Sequence, residues 1–475
     1  MGEVRKERME TINEQKNKGI AKEAVLDLLA FLALCLFLLS PLIQTIRETI
    51  APHKETLFGV IRTYPFTIGT INYFVMAIVV FLWAMHAVKL MRLHRQGNRL
   101  SLFVPLVIFG ILLVWMYLCQ MINGFDQNAY VGDFYRNESL FTFMLYLCGY
   151  FFLGTILKSD KLRWAAVLTF LAGSLIMGVL VLIDFFVTPV RMFWDCDGMA
   201  AIFNQYNHYG YYLLIAILLS GIFFVIKDVK LPIRVFCAVT FVMNNVILIL
   251  NDTFGCYLAA IAALVFGAIV IMVIRRNKGE CIRMAAVLLA FVAITCVMRV
   301  FDYSTTQDMT NLVSDIQENA DTNEFSNNTG ARRWVLWKHT VQYISEKPIF
   351  GWGVEGITER LGNEPDTEND RPHNEYLQWA AFFGIPGALL YLAGLCVIMF
   401  GMFRWIKSSD PVSIGCFIAS AGYIASAFIG NTMYYTAPFF FIVLGMMCRD
   451  RFYTRFDKPN PTHNPEEKPE TIERV

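Results

Sequence analysis

The sequence predicts an all-α, polytopic integral membrane protein with about twelve transmembrane helices and one large extracytoplasmic loop between helices 9 and 10. Three observations carry that expectation. Hydrophobic residues make up 56% of the 475, charged residues only 17%, and the mean hydropathy is +0.48. Apolar runs of about twenty residues, long enough to cross roughly 30 Å of hydrocarbon as helix, recur along the chain. The short loops between them alternate between rich and poor in lysine and arginine.

The runs begin near Ala24, Phe66, Leu100, Leu140, Trp164, Tyr209, Leu231, Phe254 and Ile282, and, after a polar interval, near Phe382, Val412 and Thr436. Five segments follow: a charged cytoplasmic stretch over 1–23, helices 1–9 over 24–301, the large loop over 302–375, helices 10–12 over 376–451, and a tail over 452–475. Arg5, Lys6, Arg8, Lys16, Lys18 and Lys22 precede the first run; Lys89, Arg92, Arg95 and Arg99 follow the second; Lys158, Lys161 and Arg163 follow the fourth. Loops around Lys227, Arg275 and Arg404 continue the basic series, whereas alternate loops carry Arg136 alone, Arg191 alone, or, around Asn251 and Asn431, no cation. The positive-inside rule then puts both termini in the cytoplasm and the large loop outside. The first run lacks a small-x-small cleavage pattern and is expected to stay as an uncleaved helix. The tail, with "KPNPTHNPEEKP", is expected to be disordered.

Eleven cysteines lie mostly within apolar runs, Cys196 being the clearest external one. None of the seven histidines has a Cys or a second His at zinc-site spacing. No metal ion or other cofactor is expected, the lipid bilayer is an obligate partner, and nucleic acid is not one.

Chemistry is expected in the large loop. In "ARRWVLWKHTVQYISEKPIFGWG", Trp334, Trp337, Val341 and Ile344 recur at helical spacing until Pro348, which predicts an amphipathic helix on the membrane surface or against the bundle. Arg332 and Arg333 at its start fit either lipid headgroups or a phosphate-bearing substrate, since guanidinium offers a planar fork to phosphate oxygens. "GWGVEG" reads as a tight turn, with phosphate binding a weaker alternative. Then "RPHNEYLQWAAFFGIPGALLYL" begins a span with an imidazole. With Asn374 as helix N-cap, His373 falls at the positive end of the helix dipole, whose field disfavours imidazolium. A neutral histidine there could be a general base toward a hydroxyl, or simply a solvated loop residue. Gly384, Pro386 and Gly387 predict a break between a short surface helix and the span proper.

Arg333 one turn before Trp337, then "KPIFGWGVEG", then "HNEYLQWAAFFGIPGALLYL" resemble the C-terminal domain shared by bacterial O-antigen ligases and O-antigen polymerases. The upstream "NQYNHYGYYLL", from Asn204 to Leu214, is similar to the asparagine-rich start of a span in that family, and the resemblance covers roughly 204–403. It implies a GT-C-type membrane glycosyltransferase that uses a polyprenyl-diphosphate-linked glycan donor and a glycan or lipid acceptor. It also implies inversion at the anomeric carbon without a metal. Catalysis would fall to His373 and Arg333, and substrate binding to Arg332, Arg191, Asn374, Asn204 and Asn207. One departure stands out: where the family has a Ser-Arg-Gly-like motif, this chain has Thr253-Phe254-Gly255, so either another cation such as Arg191 takes the role or the protein has a divergent substrate or weak activity. The shared residues leave ligase and polymerase open. Other classes also remain: a glycan or lipid transporter, or a non-catalytic glycan-binding relative.

Overall fold

The computed structural model describes residues 25, 28–43, 104–125, 129, 132, 138–157, 159–186, 203, 206–300, 333–364, 370–403, 405–431 and 434–454. The span expected from Phe66, the segment 1–23, Cys196 and the tail after 454 lie outside the described residues. The described elements are helices, with no strand among them. In chain order they are α1 (Leu28–Leu38), α2 (Val104–Asn123), α3 (Leu140–Thr155), α4 (Asp160–Phe186), α5 (Tyr206–Val225), α6 (Leu231–Leu250), α7 (Phe254–Arg275) and α8 (Lys278–Val300). Then come α9 (Arg333–Glu346), α10 (Thr358–Gly362), α11 (Glu375–Phe403), α12 (Pro411–Ser426) and α13 (Ala437–Thr454). Six of them, α4 to α8 and α11, are long and apolar enough to cross a membrane. The chain is a multi-pass membrane protein.

Helix starts follow from local chemistry. Ser139 accepts from the Thr142 amide at the start of α3, Asn277 from Glu280 at the start of α8, and Asp410 from Val412 and Ser413 at the start of α12. Pro232 and Pro411 occupy first-turn positions, where a missing N–H costs nothing. At the centre is α5, buried along nearly its whole length and packed by α6, α7, α8 and α12. A helix apolar on all sides belongs inside such a bundle.

The connections separate by end. At one end Arg163 reaches Asp410 at 3.3 Å and Ser413 at 3.0 Å, Arg275 pairs with Glu280 at 2.7 Å, and Arg283 donates to the Val225 carbonyl at 2.7 Å. At the other, Asn251 donates to the Tyr206 carbonyl at 2.9 Å, and the Glu375 amide to Ala427 at 2.8 Å. Loops that the charge pattern places on one side thus meet at one end.

The break in α11 falls at Gly384, with φ 72° and ψ 171°. Backbone groups freed there find protein partners, as they must at membrane depth. The Ala381 and Phe382 carbonyls accept from the amides of Trp352 and Gly353 at 2.8 and 2.9 Å, the Phe383 carbonyl from Trp115 Nε1 at 2.9 Å, and Ile385 donates to Pro348 at 2.8 Å. The "GWG" turn is therefore the plug that closes the helix break, and its amides are engaged there rather than facing a phosphate. Gly351 and Gly384 abut: a β-carbon on Gly384 would lie 1.9 Å from the Ile349 carbonyl, and one on Gly351 2.6 Å from the Gly384 nitrogen. Gly384→Ala is expected to cost about 3 kcal/mol or more, since the backbone region is open only to glycine and the clash is with main chain. Thermal unfolding of the purified protein checks this, with Gly362→Ala, whose methyl meets nothing within 4 Å, as the unperturbed control.

The apolar side of α9 departs from the expected stripe. The buried residues are Val335, Leu336, Thr340, Tyr343 and Ile344, while Trp334 and Val341 are 38% and 53% exposed and Trp337 is half-buried. Packing on α11 selects the Leu336–Thr340–Tyr343 side. The helix consequently has a second apolar side, with Trp334 and Val341, turned away from the bundle.

Candidate functional site

The end of the bundle that gathers the α5 start, the α6–α7 turn, α9, the α11 start and the α12–α13 turn holds most of the described residues expected to act. His373 has φ 49°, in the left-handed region that non-glycine residues seldom occupy, and is half-buried. Held conformations of this kind cost about 1–3 kcal/mol and persist where surrounding structure fixes them. Directly after it, Asn374 Oδ1 accepts from the Leu377 amide at 3.1 Å and its carbonyl from Gln378 at 2.9 Å, so Asn374 is the N-cap of α11.

What fixes the turn is a buried charge cluster that the sequence did not announce. Arg371, with none of its surface exposed, ion-pairs through its two terminal nitrogens with Glu138, ahead of α3, and with Glu355, in the turn after "GWG". Tyr146 donates to the other Glu138 oxygen at 2.6 Å, and Thr358 donates to Glu355. Burial works against the charge on Arg371, but Glu355 and Glu138 together outweigh it and hold the guanidinium above its ordinary pKa. Burial pushes the Glu138 carboxyl up, with Arg371 and Tyr146 pulling it back. Engaged by two carboxylates, Arg371 is a structural cation and not an anion clamp.

One residue past the cap, Glu375 is buried and accepts from the hydroxyls of Tyr391 at 2.5 Å and Tyr423 at 3.3 Å. The Tyr423 ring meets Tyr211 of α5 at 5.7 Å between centroids, and the Tyr211 hydroxyl donates to the Ser426 carbonyl at 3.0 Å. Arg333, the first residue of α9, is close enough to Tyr211 and to Cys256 of α7 to act on both electrostatically. Arg333 and the α11 start are thereby linked through Tyr211, Tyr423 and Glu375.

Asn207 is half-buried in the first turn of α5, beside His208, which is buried and stacked on Tyr435 at 5.4 Å. Phe254 opens α7 and packs against the core, and a β-carbon on Gly255 would meet Ile429 at 2.7 Å. Arg332, Arg191 and Asn204 lie outside the described residues. Sequence reading missed Arg371, Glu138, Glu355, Glu375 and the four tyrosines Tyr146, Tyr211, Tyr391 and Tyr423. The available signal was ionisable residues, Glu375 above all, inside or next to apolar runs.

No curated protein matches the chain. A family match, however, spans the second half of α6, α7, α8, α9, the "GWG" turn, His373 and the broken part of α11, and leaves out the "NQYNHYGYYLL" start of α5. Over residues 239–392, this membrane protein matches a family model described as O-antigen ligase.

Proposed function

We propose that the protein transfers or polymerises a glycan carried on a polyprenyl diphosphate, at the outer face of the bacterial cytoplasmic membrane, during surface-polysaccharide biosynthesis. The family domain supports a membrane glycan-processing role of the ligase or polymerase kind. The observation that carries the catalytic reading is His373, fixed on a left-handed turn directly before the capped start of α11, at the same end as Arg333.

In this mechanism His373 accepts the proton of an acceptor hydroxyl as that oxygen attacks the anomeric carbon. The new C–O bond forms as the bond to the diphosphate breaks, with inversion and without a metal. Arg333, assisted by Arg332, stabilises the charge on the departing diphosphate. Asn374, Asn204 and Asn207 are the proposed substrate-binding asparagines. Deletion of the gene tests the reading and divides its two forms: accumulated single lipid-linked repeats indicate a polymerase, accumulated long lipid-linked chains a ligase, and an unchanged set of intermediates contradicts both.

The orientation is part of the proposal and rests on the basic loops. In a background without Cys196, Asn363→Cys is expected to react with an impermeant thiol reagent in intact cells, and Lys278→Cys only after permeabilisation. The reverse pattern would put the site on the cytoplasmic face.

Phe254 leaves the family's second arginine unfilled, and a diphosphate in a partly dry site needs more than one cation. Arg191 is the proposed substitute. Arg191→Ala is expected to impair transfer as severely as Arg333→Ala, and adding Phe254→Arg to recover part of it. Wild-type transfer by Arg191→Ala would remove Arg191 from the site.

A further inference from the structure

The turn between α12 and α13 holds a polar side chain that the protein itself does not satisfy. Asn431 is 1% exposed, and neither its amide nitrogen nor its amide oxygen has a hydrogen-bond partner; Thr436, fully buried at the other end of the turn, has an unpartnered hydroxyl. Buried polar groups are nearly always paired, and the exceptions are concentrated where a ligand, ion or water completes them.

The place of the turn says which. The residue before Asn431 is Gly430, where a β-carbon would lie 1.3 Å from the Tyr211 hydroxyl, and Tyr435 stacks on His208. The turn therefore straddles the first turns of α5, against the same Tyr211 that feels the charge of Arg333. An amide with both halves unpaired offers one acceptor and two donor hydrogens. A phosphate, which only accepts, would leave the amide oxygen unsatisfied, whereas a sugar hydroxyl pair both donates and accepts. We propose that Asn431 is a substrate-binding residue that recognises hydroxyls of the glycan next to the transferred bond. This rests on the glycan-transfer reading above and deepens it.

The test measures thermal stabilisation of the purified protein by two probes, a synthetic polyprenyl diphosphate bearing one sugar and the same lipid diphosphate without it. Wild type is expected to be stabilised more by the sugar-bearing probe. Asn431→Leu, an apolar near-isostere, is expected to be as stable as wild type or more so without ligand, to lose the difference between the probes, and to raise the donor KM about tenfold. Asn431→Ala provides the same comparison if leucine disturbs the turn. His373→Ala is expected to keep the difference while losing transfer, which separates recognition from chemistry. Retention of the difference in both Asn431 variants, or equal stabilisation of wild type by the two probes, overturns the assignment and leaves the transfer mechanism standing. Stabilisation of wild type by neither probe overturns both.

Discussion

His373→Ala and Arg333→Ala are each expected to lower glycan transfer about 100-fold or more in complemented cells, with protein level in the membrane unchanged. The magnitude is that of a general base, and of a charge-stabilising donor at a leaving group. Arg332→Ala is expected to do less. Loss of the imidazole should leave the fold intact, because the turn is held by Arg371 and the helix cap by Asn374. Alanine in the left-handed conformation at 373 adds modest strain, so His373→Asn, which tolerates φ near 49° but cannot serve as base, is the matched control. Normal surface glycan from the His373→Asn protein would remove the histidine from the mechanism.

Arg371→Ala is expected to destabilise the protein by about 3–5 kcal/mol, because it leaves the carboxylates of Glu138 and Glu355 buried beside one another without a cation. Arg371→Lys should recover part of the loss, since one ammonium cannot reproduce a two-pronged contact. Combining Arg371→Met with Glu138→Gln and Glu355→Gln should recover more, as the cost lies in unpaired charge and not in the absence of the ion pairs. Thermal unfolding in detergent checks the series. An Arg371→Ala protein as stable as wild type would mean that the cluster does not hold the His373 turn.

The architecture was legible in the sequence where apolar length and loop charge speak directly. Apart from the run near Phe66, which lies outside the described residues, each expected apolar run falls on a helix, six of them long and apolar enough to cross a membrane, and the break at Gly384 and the cap at Asn374 are where glycine and asparagine chemistry put them. The role of "GWG" was not legible, because its partner is the α11 break some thirty residues on, and a turn's spacing does not say what its amides will meet. The stripe on α9 misled for a related reason: Trp334 and Val341 are apolar, yet packing on α11 uses Leu336, Thr340 and Tyr343. Of the site, His373 and Arg333 stood out by motif. Arg371, Glu138 and Glu355 come from three separate segments, and only the fold brings them into one cluster. Glu375 was readable in principle as a carboxylate entering an apolar run, but its two tyrosine partners lie 16 and 48 residues away.

The most direct measurement is transfer by the purified protein in lipid nanodiscs, given a polyprenyl-diphosphate-linked glycan and an acceptor saccharide. Wild type is expected to form the new glycosidic bond with inverted anomeric configuration and to release one lipid diphosphate per bond, and the His373→Ala and Arg333→Ala proteins to do neither at more than about 1% of that rate. Bond formation by His373→Ala at the wild-type rate, or retained configuration in the product, would contradict the account.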